Sequence, residues 1–330
     1  AALYHESASD IFAGLGRICT QSGQTVKSYF DSSYGGFGGT FLNAALVCAV
    51  CLGIYCLPGS KPDGVSVLAF FLTAGFLYGL PSFEKISDRK EFPPMAALLQ
   101  LCQPFDHAVM AAIQSIAGSV MDKLMLFFTF LGEETFAILL LIAVYWCWDK
   151  RLGEYLLFSL YTAMSVNGLM KDLICRPRPF LNEEFSDLRY VKVKSLLVDT
   201  EHLSASWSFP SGHSQTAGSI YGSLMNGRRA WAKIAGIVVI LLVMVSRVYL
   251  GVHYPTDTIV GAVLGLLCAW VCGLLYRRFY QHRILLMGAA VLLSGVMLLV
   301  SPSGDSIKTL AMGVGAVAGM WLEDGLVEFR

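Results

Sequence analysis

The sequence predicts an all-α protein, a polytopic transmembrane helical bundle. Of 330 residues 55% are hydrophobic and only 15% charged, where a soluble domain carries about 25% charged residues. The apolar residues also gather into long blocks: Phe41–Leu57, Val65–Leu80, Phe136–Trp148, Tyr155–Met170, Ile234–Leu250, Thr258–Tyr276, Ile284–Val300 and Leu310–Leu322. Roughly 20 such residues cross a hydrocarbon core. Several blocks are shorter and need their polar flanks, so the expectation is eight or nine spans, one following His213. The competing reading is a large soluble helical core.

Along the chain, residues 1–40 read as a polar lead ending in "SYGGFGGT", which lacks the Gly-Lys-Ser/Thr of a P-loop. Residues 41–95 read as an extra transmembrane hairpin joined by "PGSKPDG". Residues 96–276 form the expected catalytic core, opening with "QLCQPFDHAVMAAIQSIAG" and "VMDKLMLFFTFLG". These two are amphipathic and are expected to lie in the interface. Residues 277–330 form a C-terminal transmembrane extension.

The loops "WDKRLGE", "NGRRAWAK" and "YRRFYQHR" share one face by alternation, and the positive-inside rule makes that face cytoplasmic. Tyr145, Trp146, Trp148, Trp207, Trp231 and Tyr276, near span ends, fit an interfacial aromatic belt. A formal net charge of zero with no long basic run argues against nucleic acid as a partner. Cys48 and Cys51 form a Cys-x-x-Cys pair inside an apolar span with no second pair or histidine to complete a metal site.

Three polar clusters fall on the opposite face. The first, "KDLICRPRPF", holds Lys171, Arg176 and Arg178. Taken singly it could be an interfacial anchor. The second, "PSGH", places Ser211, Gly212 and His213 where a helix starts. Ser211 could be a plain N-cap, yet unpaired N–H groups and the helix dipole also attract anions there. The third, "SRVYLGVHYPTD", holds Ser246, Arg247, His253 and Asp257. If that segment is helical, His253 and Asp257 share a face, and the carboxylate orients the imidazole. His107 and His202 have no partner at ligand spacing.

Three cations, two histidines, one carboxylate and a helix start suit phosphoryl transfer, where positioning and charge neutralisation dominate. Phosphate-monoester hydrolysis requires accelerations up to ~10²¹, of which general acid catalysis supplies about 10²–10⁴. A charge clamp is needed. The residues alone do not separate nucleophile from acid.

With Lys-x6-Arg-Pro, Pro-Ser-Gly-His and Ser-Arg-x5-His-x3-Asp in order, the chain resembles the type 2 phosphatidic acid phosphatase superfamily, integral membrane branch. The resemblance implies that Lys171, Arg178, Ser211, Gly212 and Arg247 hold the phosphoryl group. It implies a phosphohistidine on His253, support from Asp257, and His213 as acid and then base, with no metal or cofactor. It covers about residues 122–276.

The expected activity is a membrane lipid phosphatase or diphosphatase in a bacterial inner membrane, with its site on the periplasmic side. The expected partners are the bilayer and a lipid phosphate or polyprenyl diphosphate. The alternatives are a lipid phosphotransferase using the same phosphohistidine and a non-catalytic lipid-phosphate binding or transport protein.

Overall fold

The computed structural model describes residues 101–188, 206–300 and 304–324, together with Leu99. The expected lead 1–40, the hairpin 41–95, the Cys48–Cys51 pair and His202 lie outside the described residues. Among the described residues there is no strand, and the long helices are α1 (Gln103–Gln114), α2 (Ser119–Phe130), α3 (Glu134–Cys147), α4 (Lys150–Ile174), α5 (Gly212–Met225), α6 (Ala230–Tyr249), α7 (Pro255–Arg278), α8 (Arg283–Val300) and α9 (Gly304–Leu322). The all-α expectation holds.

By length and composition α6, α7 and the segment Tyr280–Leu298 qualify as membrane spans, and α2 with α3, bent by 53°, pass as one broken span. That gives three or four spans among the described residues; the blocks Phe41–Leu57 and Val65–Leu80 lie outside them, and of the blocks within them those in α4, α5 and α9 do not qualify. With 14 residues, α5 is about 21 Å long, too short to cross unaided. α4 has the length, 25 residues, but spends its surface on polar contacts inside the bundle. Ser159 bonds Ser219 of α5 at 2.8 Å, Asn167 donates to Gln215 of α5 at 2.9 Å, and Ser165 meets Ser294 of α8 at 3.3 Å. Polar groups at membrane depth face the bundle interior, and α4 packs against α3, α5, α7, α8 and α9.

α4 begins at Asp149, whose side chain accepts from the Leu152 N–H at 3.1 Å. It ends at Cys175, which takes the left-handed conformation at φ 52°. The following Pro177 and Pro179 forbid further helix.

The helices alternate in direction, so the junctions 148–149, 226–229 and 279–282 share one end of the bundle. Ion pairs clasp that end: Lys150 to Glu323 at 2.5 Å, Arg283 to Glu154 at 3.1 Å, and Arg283 to Asp324. Trp148 and Trp231 are exposed there, as a belt requires. Tyr276 is not part of a belt: it is buried and donates to Glu154 at 2.5 Å, because Glu154 is itself buried and must be satisfied.

α1 is held to the bundle by an ion pair: Asp106 is fully buried and paired with Arg176.

Candidate active site

Glycines bring the second and third clusters together. A Cβ built on Gly261 would lie 2.5 Å from the Ser211 carbonyl oxygen, and one on Gly265 would run into that of Gln215. From the other side, a Cβ on Gly218 would lie 2.5 Å from the Ala262 carbonyl. Gly261-x-x-x-Gly265 is thus a close-packing seam of the kind that lets membrane helices touch backbone to backbone. It places the start of α5 against the start of α7, and the Ser211 N–H donates to the Asp257 carbonyl at 3.1 Å.

The first cluster is tied in by Arg176. Its guanidinium donates to Asp257 at 2.6 Å and to Asp106 at 2.7 Å, and stacks over the Tyr254 ring at 3.7 Å. Asp106 also accepts from the Thr256 backbone and hydroxyl at 3.0 and 2.9 Å. Asp257 further accepts from Ser208 at 2.5 Å and from the Tyr254 N–H at 3.2 Å. This buried network joins α1, the end of α4, the segment before α5 and the start of α7. Two anions share one cation, and each remaining oxygen has a donor, the condition under which buried charges persist.

His253 stands just before α7, so it and Asp257 do not share a helix face as the sequence reading supposed. The His253 Nδ1 lies 3.7 Å from Asp257 and 3.4 Å from the Ser208 hydroxyl, while the Ser208 backbone bonds the ring. Asp257 therefore acts on the imidazole through Ser208 rather than by a direct bond. The other ring nitrogen, Nε2, faces Arg178 at 3.3 Å. Burial, then Arg178, Arg247 and Lys171, hold the His253 pKa well below 6.5.

Arg178 is fixed by the Ser206 carbonyl and hydroxyl at 2.9 and 2.7 Å and by the Val252 carbonyl at 3.0 Å. Burial lowers its pKa to about 10, which leaves it charged at neutral pH. Arg247 donates to Thr129 of α2 at 2.6 Å, and its buried Nε has no partner among the described residues. Lys171 lies 3.9 Å from Asp305. His213 lies within electrostatic reach of Arg247, His253, Arg178 and Lys171, so the five predicted cation and imidazole positions share one neighbourhood.

Ser211 caps α5, accepting from the Ser214 N–H at 3.5 Å, so the capping role is filled. Gly212 and His213 follow on the first turn of α5. Gly132, in the break between α2 and α3, approaches His213 so closely that a Cβ there would lie 3.0 Å from its carbonyl. Beside this turn is a cavity of about 210 Å³ lined by Glu134, Lys171, Gly212, His213, Lys308 and Thr309 among others. Among the described residues no three His, Cys, Asp or Glu side chains come together as a metal site.

Sequence reasoning missed Asp106, Thr129 and Ser208, and read Arg176 only as part of a basic cluster. Asp106 carried a signal, an acid in an otherwise apolar stretch. Thr129 and Ser208 carried none. His107 turns to the surface and bonds Asp187 at 3.0 Å, which holds that carboxyl below its usual range.

A membrane-type helical bundle with a buried, cation-rich cup at one end is the class of protein that these features define. Residues 153–283 match the PAP2 superfamily, and this part of the chain is a PAP2 superfamily domain. Residues 7–80 match a second family, described as a protein of unknown function, DUF1576. The chain is 29% identical over 182 residues to phosphatidylglycerophosphatase B of Bacillus subtilis, covering 50% of this chain and 80% of the relative. It is 31% identical over 122 residues to an undecaprenyl-diphosphatase of Sulfolobus acidocaldarius, covering 37% of this chain and 52% of the relative. A crystal structure of a transmembrane PAP2 type phosphatidylglycerolphosphate phosphatase from Bacillus subtilis aligns at 24% identity and a TM-score of 0.45, covering 65% of this chain and 96% of that one. The protein is an integral membrane protein.

Proposed function

We propose that the protein hydrolyses a lipid phosphate monoester or a polyprenyl diphosphate through a phosphohistidine. The observation that carries this reading is the polarity of the His253 ring. Nδ1 is held by Ser208, so the lone pair of Nε2 points to Arg178, within electrostatic reach of Arg247 and Lys171. A phosphoryl group in that cup meets three cations and the α5 N-terminus, which stabilise the charge on its equatorial oxygens.

Nε2 then attacks the terminal phosphorus while its P–O bond to the leaving group breaks, an ester bond in a monoester and the anhydride bridge in a diphosphate, and His213 gives its proton to the departing oxygen. Water next attacks the phosphohistidine with His213 taking its proton; the N–P bond breaks and inorganic phosphate leaves. Lys171, Arg178, Ser211, Gly212 and Arg247 hold the phosphoryl group throughout. Asp257 keeps the Nδ1 side of His253 in place through Ser208.

The site lies at the end of the bundle opposite the basic junctions around Lys150, Arg151, Arg228, Arg229, Arg277 and Arg278. By the positive-inside rule the cup faces the periplasm of a bacterial inner membrane. The catalytic core is residues 96–276, with 277–330 packed against it. The named activities of the relatives, a phosphatidylglycerophosphatase and an undecaprenyl-diphosphatase, support a phosphorylated lipid as substrate.

The test is a trapping experiment with phosphate-labelled lipid in the presence of chelator. His213→Ala, able to be phosphorylated but slow to hydrolyse, should retain acid-labile label that His253→Ala does not. Label that persists in His253→Ala, or phosphate release abolished by the chelator, sinks the mechanism. Label passed to an added alcohol in preference to water identifies a phosphotransferase.

A further inference from the structure

α9 lies beyond residue 283, where the family match ends, yet it forms a wall of the cavity next to His213. Two glycines seat it on α4. A Cβ on Gly168 of α4 would lie 3.1 Å from the Ser306 hydroxyl, and one on Gly313 of α9 would lie 2.5 Å from the Tyr161 ring. At the opposite end the Lys150–Glu323 and Arg283–Asp324 pairs fix the segment just past α9. So held, α9 turns Asp305, Lys308 and Thr309 toward one cavity, at the i, i+3, i+4 spacing of a single helix face.

The lining of this cavity is selective. It includes Lys171, Gly212 and His213 but not Arg178, Arg247 or His253. In the proposed reaction His213 protonates the departing oxygen, so its side of the cup is where the leaving group sits. Glu134 and Asp305 share the wall with Lys171 and Lys308. Lys171 has Asp305 at 3.9 Å. Lys308 has no ion pair or hydrogen bond among the described residues, feeling Glu134 only at longer range. A half-buried ammonium without a partner, facing a cavity of about 210 Å³, gains most from an anion that arrives there. A leaving group that is a neutral alcohol brings none.

We infer that α9 completes a leaving-group subsite in which Lys308 binds a second phosphate. The substrate is then a lipid whose leaving group is itself phosphorylated, either as a diphosphate or as a phosphodiester bridged through glycerol. This rests on the phosphatase reading above and deepens it.

The experiment uses the full chain purified in detergent, as wild type, Lys308→Gln and Lys308→Arg. Each is assayed on a polyprenyl diphosphate, on phosphatidylglycerophosphate and on phosphatidate, whose leaving diacylglycerol is uncharged. The readout is the ratio of kcat/KM for a phosphate-bearing leaving group to that for phosphatidate, which cancels any loss of folded protein. In Lys308→Gln this ratio should fall roughly tenfold or more for the preferred substrate, as expected when one charged hydrogen bond is lost, and Lys308→Arg should restore most of it. Which of the two phosphorylated substrates is affected identifies the source of the second phosphate. A smaller fall with both, or a wild type that prefers phosphatidate, overturns the subsite. A wild type that releases phosphate from none of the three removes the phosphatase reading instead.

Discussion

Arg178 places one guanidinium nitrogen 3.3 Å from Nε2 of His253. The same guanidinium is anchored by Ser206 and Val252, so its position does not depend on a ligand. A cation at that nitrogen opposes protonation of the ring, and it occupies the side from which a phosphoryl group must approach. The proposed nucleophile is kept neutral first by burial and then by the residue that later shares the phosphate with it.

The His253 pKa is lowered, first by burial and then by Arg178, Arg247 and Lys171. A depressed histidine pKa means that the folded protein favours the neutral ring, which persists as pH falls through 6.5 and is lost only below it. Histidine-selective isotope labelling, with His253→Gln assigning the resonance, should find the ring neutral at pH 6.5. A ring half-protonated at or above that pH contradicts the geometry.

Ser208 stands between Asp257 and the imidazole, at 2.5 Å from one and 3.4 Å from the other. Ser208→Ala keeps the backbone contact to the ring but removes the hydroxyl relay. The expected result is a drop in kcat of about 10- to 100-fold, with KM moving much less, because the lost interaction orients a reacting group rather than binding lipid. Loss confined to KM would assign Ser208 to substrate binding.

Arg176→Met leaves Asp106 and Asp257 buried without their shared cation. Breaking one partner of a buried pair costs about 3–5 kcal/mol. Thermal unfolding in detergent should show a large fall in Tm, and Asp106→Asn/Arg176→Met should recover part of it by removing one stranded charge. Equal stability of the single and double variants would mean that the two residues are not coupled.

Gly265→Ala puts a methyl group into the Gln215 backbone. Overpacking of this kind costs about 1–3 kcal/mol, and here it also parts the start of α5 from the start of α7. The variant should remain extractable and helical by circular dichroism while losing most phosphate release. Retained activity would show that the two helices reach the site without this seam.

How much was legible beforehand differs by residue. Lys171, Arg178, His213, Arg247 and His253 were visible because each is a charge or imidazole at the edge of an apolar block, where placing it costs free energy that packing alone does not repay. The helical class was visible for the same reason, since a bilayer requires every backbone group to be satisfied within the chain. Ser159 and Asn167 read as parts of an ordinary span, but they tie α4 to α5 inside the bundle, a pairing that hydropathy does not reveal. Tyr276 read as a belt residue because nothing nearby in sequence reveals Glu154 as its partner.

By itself, the order of residues determined that the chain is helical and membrane-embedded and which charges sit at which end, because hydropathy and spacing are local properties. Only the tertiary structure decided that Asp106 and Arg176 brace the start of α7, that Ser208 stands between Asp257 and His253, and that α9 brings Lys308 to the cavity beside His213. Those relationships join segments dozens of residues apart, and they exist only once glycine seams and buried ion pairs have set the distances between helices.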